Sequence, residues 1–367
     1  MSDNIERNFG ANEKVVETNS EKCPSCGGDL VFDPKGQSLK CEHCGNTVDL
    51  VKNRDIAEHN ILDGFKYAEK FSGGELTVYR CENCGATVNI KADETANKCP
   101  FCGTAHVVKE GSLDGIKPQV VLPFRFSKHD AASAIEKWAK KRIFAPHAFK
   151  KAIDIDYVDG IYEPCFTFDS NTSSHYDGRV GDEYTRTVGS GKDQHTETYV
   201  VYRHVRGNYN YVFDDVAIAN NDHFDQRSLE SLSPFNMDGA CVYESKYISG
   251  FYAESYQTDL PECWNRAKKK MDKIIRRNIE DSLHCDVVDY LNVFTTHTDV
   301  TYKYMLLPVY DAKFRYKGKY YGVKMNGSTA RVWGKTPLSP VRISIAILLG
   351  AAALVGIGLL IFRLING

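Results

Sequence analysis

Hydrophobic positions in this chain follow three rhythms. Between residues 29 and 50, and again between 76 and 90, apolar and polar residues alternate in short runs. These are Asp29-Leu30-Val31-Phe32-Asp33, Thr47-Val48-Asp49-Leu50, Leu76-Thr77-Val78-Tyr79 and Ala86-Thr87-Val88-Asn89-Ile90. Alternation of this length predicts half-buried strands, with Pro34-Lys35-Gly36 as the turn before Ser38-Leu39-Lys40. Residues 52–72 instead space Ile56, Ile61, Phe65, Tyr67 and Phe71 among charges and stop at Gly73-Gly74, which predicts a helical connection over 51–75. Gly111 to Gly115 reads as a short linker.

The second rhythm fills residues 116–337, where strand-like and helix-like patterns mix. Three fragments, Val120–Phe126, Ile161–Phe168 and Met305–Tyr310, each place a proline inside an apolar strand. Proline cannot donate to a ladder, so edge strands or strand starts are predicted. Ser127-Lys128-His129-Asp130 resembles a capping box and opens a helix with Ala131, Ile135, Trp138 and Ala139 on one face. A longer helix is predicted from Asp259 to Leu283, with Pro261 in its first turn and Trp264, Ala267, Met271, Ile274, Ile275 and Ile279 facing the core. Phe314–Tyr316, Tyr320–Val323 and Ala330–Trp333, joined through Lys317-Gly318 and Asn326-Gly327, predict a β-meander. The fold class is α+β.

In the third segment there is no rhythm. Ile343 to Phe362 carries no charge and is bounded by Arg342 and Arg363. As a helix it would reach roughly 30 Å, the thickness of a bilayer core, and its apolar residues occupy every face. A single C-terminal transmembrane helix over 343–362 is therefore predicted. Residues 1–20 are polar, contain no signal-peptide pattern and are expected to be disordered. Arg331, Lys335 and Arg342 precede the span and Arg363 follows it, which puts the N-terminal body in the cytoplasm of a single-pass cell-membrane protein. Ala346/Gly350 and Ala352/Gly356 are small-xxx-small pairs that could pack two spans together, and the sequence leaves self-association open.

Cysteine spacing adds chemistry to the alternating segments. Eight of the twelve cysteines form two copies of Cys-x2-Cys-x14-Cys-x2-Cys: Cys23, Cys26, Cys41 and Cys44, then Cys81, Cys84, Cys99 and Cys102, with the same offset between every matched pair. Knuckles of the C-P-x-C-G and C-E-x-C-G kind, with glycine for the tight turn, predict two tetrahedral four-thiolate zinc sites. Residues 21–50 and 76–110 are thus predicted zinc ribbons, too small to fold without metal. Four thiolates leave no open coordination position, so the two zinc ions are structural. Reduced thiolates also agree with a cytoplasmic body.

Charge then narrows the partners. The chain carries a formal −2, but residues 1–110 hold 13 Lys and Arg against 18 Asp and Glu. Two four-thiolate sites, each adding −2, take that balance from −5 to −9. Phosphate affinity needs positive charge, so nucleic-acid binding is disfavoured although Tyr79, Arg80 and Phe101 could contact bases or phosphates. The opposite sign appears in the long helix, where Arg266, Lys268, Lys269, Lys270, Lys273, Arg276 and Arg277 put seven cations into twelve positions. Whether that face contacts the headgroups of an anionic leaflet, nucleic acid against the pull of the acidic ribbons, or solvent alone is left open by the sequence.

Catalytic signatures are missing. The segment nearest a phosphate-binding loop, Gly189-Ser190-Gly191-Lys192-Asp193, has Arg186 at the first glycine position and Asp193 at the Mg²⁺-binding hydroxyl position. No His-Glu-x-x-His occurs, and His195 and His204 flank a strand-like run in structural positions. Cys165, Cys241, Cys263 and Cys285 lie in or beside apolar sequence, as buried cysteines do. No enzymatic activity is expected.

Tandem knuckles, Gly160-Ile161-Tyr162-Glu163-Pro164, Ser249-Gly250-Phe251-Tyr252-Ala253-Glu254-Ser255-Tyr256, and Leu307-Pro308-Val309-Tyr310 leading to Asn326-Gly327-Ser328-Thr329 together resemble a bacterial family. Its members are membrane-anchored proteins with ribbons of the general-transcription-factor-IIB type, often labelled replication-restart helicase-like. The resemblance runs from about 21 to 362. It implies no enzymatic activity, and it implies protein partners of the phage-shock or SPFH membrane-stress type, hence a scaffold or adaptor. Many such proteins end in a longer apolar tail, so their two-span topology does not carry over. A membrane-tethered nucleic-acid-binding ribbon protein is the alternative.

Overall fold

A computed structural model describes residues 22–67, 72–81, 87–91, 107–114, 116, 118–147, 149, 158–221, 223–254, 256–316 and 319–366. The N-terminal segment expected to be disordered lies outside them, as do Cys84, Cys99 and Cys102.

Strands β1 (Leu30–Asp33), β2 (Ser38–Cys41) and β3 (Thr47–Asp49) form a small antiparallel sheet in the order β1-β2-β3. The turn after β1 closes locally. Asp33 Oδ1 accepts from the Lys35 N–H at 3.0 Å, and Gln37, at φ 51°, donates its N–H to Asp33 O at 2.8 Å. Alternation then buries Leu30, Phe32 and Leu39 on one side, as the pattern predicted.

After an irregular stretch come β4 (His59–Asn60), α1 (Ile61–Tyr67), β5 (Ser72–Cys81), β6 (Thr87–Lys91), β7 (Val107–Asp114) and β8 (Val120–Val121). Two expectations change here. The segment expected to be helical over 51–75 is helical only at Ile61–Tyr67 among the described residues. Asn60 accepts from the Leu62 N–H at 2.9 Å and starts the helix late, while Asn53 turns the upstream chain by accepting from the Asp55 N–H. The expected linker at 111–115 is strand through Asp114, because β7 pairs with β5.

The body continues with α2 (Lys128–Lys140), β9 (Val158–Val188), β10 (His195–Ala219), α3 (Gln226–Leu232), β11 (Cys241–Val242), β12 (Tyr252–Glu254), α4 (Leu260–Ser282), β13 (Val287–Tyr316), β14 (Lys319–Asn326), β15 (Val332–Gly334) and α5 (Pro340–Asn366). Ser127 and Asp130 form the capping box of α2, and Asp259 caps α4 by accepting from the Glu262 N–H. Among the described residues, the strands from β4 onward share one mixed sheet whose main path runs β11-β8-β13-β9-β12-β6-β5-β7. Strand β10 lies on β9, and β14 and β15 extend from β13 as the meander predicted.

The proline-bearing strands are not edges. Strand β9 lies between β13 on one side and β12 and β10 on the other. Pro164 falls where the second side changes partner: β12 pairs with Ile161 and Tyr162, and β10 begins at Cys165. Pro308 repeats this in β13, between β8 at Met305–Leu306 and β14 from Val309 onward. A missing N–H does little harm at a seam between neighbours, so a central strand can hold proline there.

Beyond Asp169 the three long strands leave the body as an arm, ordered β10-β9-β13. At its base both outer strands bulge, β10 between Phe213 and Val216 and β13 between Thr298 and Thr301, with Asp215 and Asp299 at φ 52° and 51°. Helix α4 lies along the inner face. Its Leu260, Cys263, Ala267, Met271, Ile275 and Ile279 are buried at spacings of three and four; of the predicted core face, Ala267, Met271, Ile275 and Ile279 are buried and Trp264 and Ile274 are partly so. Trp264 meets Phe168 at the base, and Arg276 donates to Leu291 O further out. The arm's tip turns through a single 3-10 turn, Gly191–Asp193, so the loop with partial likeness to a phosphate cradle is a hairpin connection.

Helix α5 is long and apolar enough over Pro340–Leu364 to cross a membrane, and its most apolar window is not buried against the body.

Candidate metal centre and the buried charges behind it

Cys23 and Cys26 come from the turn before β1, and Cys41 and Cys44 from the matching turn after β2. Gly27 and Gly45 close the two turns at φ 71° and 76°, each donating its N–H back to the carbonyl of Cys23 or Cys41 at 2.9 Å. This left-handed backbone favours glycine and explains its place in the motif. The four sulfurs all lie within 4.8 Å of one another, with Cys23–Cys44 at 3.5 Å and Cys26–Cys41 at 3.6 Å. A tetrahedron with metal–sulfur bonds of about 2.3 Å has edges of about 3.8 Å, so the donor set fits one ion. Burial raises the Cys23 thiol, but N–H groups of Ser25 and Cys26 and contact with Cys44 outweigh it, leaving it at about 6. At Cys26 the Gly28 N–H lowers the thiol, yet the neighbouring Cys44 sulfur, burial and Cys41 push it up to about 12. Cys23 and Cys26 thus shift in opposite directions, as close thiols that share one negative charge do.

The second quartet has only Cys81 among the described residues, at the end of β5. Its strands nevertheless enter the main sheet, because β6 pairs with β12 at Ala253 and Glu254.

The four-cysteine module is docked on the body through the segment Ser249-Gly250-Phe251. The Phe32 N–H donates to Ser249 O at 3.1 Å, and Ser249 Oγ donates to Leu30 O at 2.8 Å. Phe32 meets the Tyr247 ring edge-on at 5.9 Å, and Gln37 donates to Phe124 O at 2.7 Å. Gly250, at φ 83°, lies where a Cβ would collide with Val31. Phe251 then stacks on Phe124 at 4.3 Å, within an aromatic group that includes Tyr162 and Tyr310. The glycine and the two residues beside it thus join the cysteine module to the core.

Sequence reasoning missed a second feature, a set of ionisable groups inside the sheet. Glu163, Glu254, Asp311 and Lys324 come from β9, β12, β13 and β14 and are all buried. Asn221 donates to Glu163 at 3.0 Å and to Glu254 at 2.7 Å, while Lys324 Nζ lies 3.2 Å from Asp311 and 3.6 Å from Glu163. Burial, and then the charge on Glu163, hold the Glu254 carboxyl well above the usual carboxylate range. Burial alone would neutralise Lys324, but Asp311 and Glu163 keep it charged. The signal was available: each carboxylate interrupts an apolar run, and a charge there must find a partner.

A similar group pins the base of the arm. Lys303 Nζ reaches Asp215 at 2.8 Å, Glu58 at 3.1 Å and Asp169 at 3.8 Å, and Thr301 Oγ1 donates toward Glu58 and Asp169. Asp169, Asp214 and Asp215 are close enough to invite a cation. The Lys303 ammonium already supplies positive charge there. Burial, opposed by the Asp215 N–H and Lys303, leaves Asp169 at about 6.

The remaining candidates separate. Cys165, Cys241 and Cys263 are buried, and burial raises all three thiols, Cys165 and Cys263 to about 12. Cys285 is partly exposed beside His284, while His195 and His204 are both exposed in β10. Of the seven cations on α4, Arg266, Lys270 and Arg276 pair with Glu262, Glu230 and Glu280. Lys268, Lys269, Lys273 and Arg277 are exposed, and of these Lys273 helps Lys270 to lower the Glu230 carboxyl.

No protein-family model matches the chain, and no solved structure matches it. It is similar to the uncharacterized protein YdjG of Bacillus subtilis (strain 168), with 29% identity over 330 residues that cover 89% of this chain and 92% of that one.

Proposed function

We propose that this protein is a membrane-tethered cytoplasmic scaffold or adaptor in which two structural zinc ions hold ribbons that recruit protein partners, in the setting of a membrane-stress response. Helix α5 is the tail anchor, and the body carries no catalytic centre. The observation that supports this best is the union of a closed four-sulfur site with the body. Four thiolates leave a metal no open position for substrate, and the ribbon they hold is seated on Ser249, Phe124 and Tyr247. Such a site builds a surface and performs no reaction. The acidic balance of residues 1–110 suits protein contacts better than phosphate.

A second reading, a membrane-tethered nucleic-acid-binding protein, has one observation in its favour: the exposed cations Lys268, Lys269 and Arg277 on α4. The two readings divide on one experiment. Full-length protein is purified from detergent-solubilised membranes with and without nuclease, and its metal is measured. Two zinc ions per chain and co-purifying proteins that survive nuclease are expected. Recovery of partners only when nucleic acid is intact would favour the second reading, and a metal-free folded chain would overturn the zinc assignment.

A further inference from the structure

Helix α2 ends at Lys140, and the turn that follows exposes Lys141, Arg142, Ile143 and Phe144 in succession. The exposure of Ile143 is 69% and that of Phe144 is 38%. Isolated exposed apolar residues are ordinary and need no explanation. These two are not isolated, because the backbone that carries them is bonded to the start of α5. The Ser339 N–H donates to Phe144 O at 2.8 Å, and Arg342 Nη1 donates to Ile143 O at 2.9 Å. Leu338 and Val341, on the other partner of this junction, are also exposed. Two segments distant in sequence therefore bring four bare apolar side chains to the point where the apolar helix leaves the body.

Cations flank this cluster along both segments of the chain. Lys137, Lys141 and Lys335 are exposed, Arg342 is partly so, and the Arg142 guanidinium lies over the Trp138 ring at 4.4 Å. The one acid on the last turns of α2, Glu136, is engaged by Lys140 at 2.6 Å. Apolar tips with basic residues beside them in the chain match the boundary between acyl chains and anionic headgroups, where arginine and tryptophan present an apolar body and a polar end. Continuity with α5 names the occupant.

We infer that the turn Lys141–Phe144 and the segment Leu338–Arg342 form one interfacial foot. Ile143, Phe144, Leu338 and Val341 enter the headgroup–acyl boundary of the bilayer, and Lys137, Lys141, Arg142 and Arg342 contact anionic lipid phosphates. The foot rests on α5 being a membrane span, as proposed above. With it in place the body does not swing freely on its tether: two hydrogen bonds lock the foot to the base of the span and fix which side of the body faces the lipid.

The test uses the full chain reconstituted in vesicles of mixed phosphatidylglycerol and phosphatidylcholine. A benzophenone-bearing amino acid replaces Ile143, Leu354 in the middle of α5, or Phe294 on the exposed face of the arm, and lipid adducts are measured after illumination. Adducts at 354 and 143 and none at 294 are expected. Adducts at 354 without any at 143 would overturn the foot and leave the span standing. No adduct at 354, with the chain recovered in the supernatant, would overturn the span and the foot with it. Lys141→Ala with Arg142→Ala should lower the yield at 143 relative to 354, by up to roughly fivefold for each cation removed from an anionic surface. A yield that ignores both this change and the removal of phosphatidylglycerol would overturn the phosphate contacts.

Discussion

The four-cysteine module and the β-arm solve the same problem, too little core, by opposite means. The module gathers Leu30, Phe32 and Leu39 beside four sulfurs contributed by two similar turns, and its hydrogen bonds close within short stretches of chain. The arm uses three strands, β10, β13 and β9, of 25, 30 and 31 residues. Its central strand pairs with β13 across a long intervening stretch of chain, and α4 covers one face. The module is local and, on the function proposed above, held by metal. The arm is nonlocal and depends on one helix. A metal site concentrates stability in one interaction, so a single change should abolish the module, whereas the arm distributes stability along a ladder and should lose it in portions.

The largest expected effect is therefore at a cysteine. Cys41→Ser removes one of four ligands, and a structural zinc site is worth roughly 10–16 kcal/mol to a module of this size. Hydrogen exchange should reveal residues 30–49 unprotected, with metal content falling from two ions to one and the second quartet intact, because the sites share no ligand. Full protection of β1 and β2 in the metal-depleted variant would show that docking on Ser249 and Tyr247 suffices, and the contrast with the arm would collapse.

A smaller effect is expected on the other side of the comparison. Ile279 is fully buried in the distal half of α4, so Ile279→Ala should cost about 2–5 kcal/mol by leaving a cavity. The loss should appear as faster exchange along the outer parts of β10 and β13, with the cysteine module unchanged. If exchange rises equally in β1–β3, module and arm are one cooperative unit.

The same contrast decides what the sequence discloses. Every strand of the cysteine module is visible in it, because alternation, turn residues and cysteine spacing all act within one short window. The capping box at Ser127, the core face of α4 and the meander are legible for the same reason. The arm is not. Runs such as Asn171-Thr172-Ser173-Ser174-His175 in β9 carry no apolar alternation, since small polar side chains (Ser170, Thr172 and Ser174) fill the space beneath α4. Strand identity there comes from pairing with β10 and β13, which no local window contains. The prolines misled in a related way: the rule about missing donors holds, but a seam between two neighbours satisfies it as well as an edge does. Glu163, Glu254 and Asp311 were in plain view in or beside the segments Gly160–Pro164, Ser249–Tyr256 and Leu307–Tyr310, yet only the fold brings them to Lys324.

The smallest effect expected lies where the arm leaves the body, and it has a sign. Asp169 holds its proton to about pH 6 in the folded chain, against an ordinary value of 3.8. Between those limits the folded state binds more protons at this site than the unfolded state does. The contribution of Asp169 is then complete below about pH 4 and is lost as the pH rises toward 6. Asp169→Asn removes that titration. Compared by urea midpoints across pH 4 to 6, the natural protein should lose stability relative to the variant. The loss should be on the order of 1 kcal/mol once solvent screening at this partly open site is discounted. The slopes matter more than the offset, since asparagine also alters the bonds from the Asp215 N–H and Thr301. Parallel curves would mean that Lys303 holds Asp169 charged throughout. The base of the arm would then be a fixed ion pair, with no dependence on pH across this range.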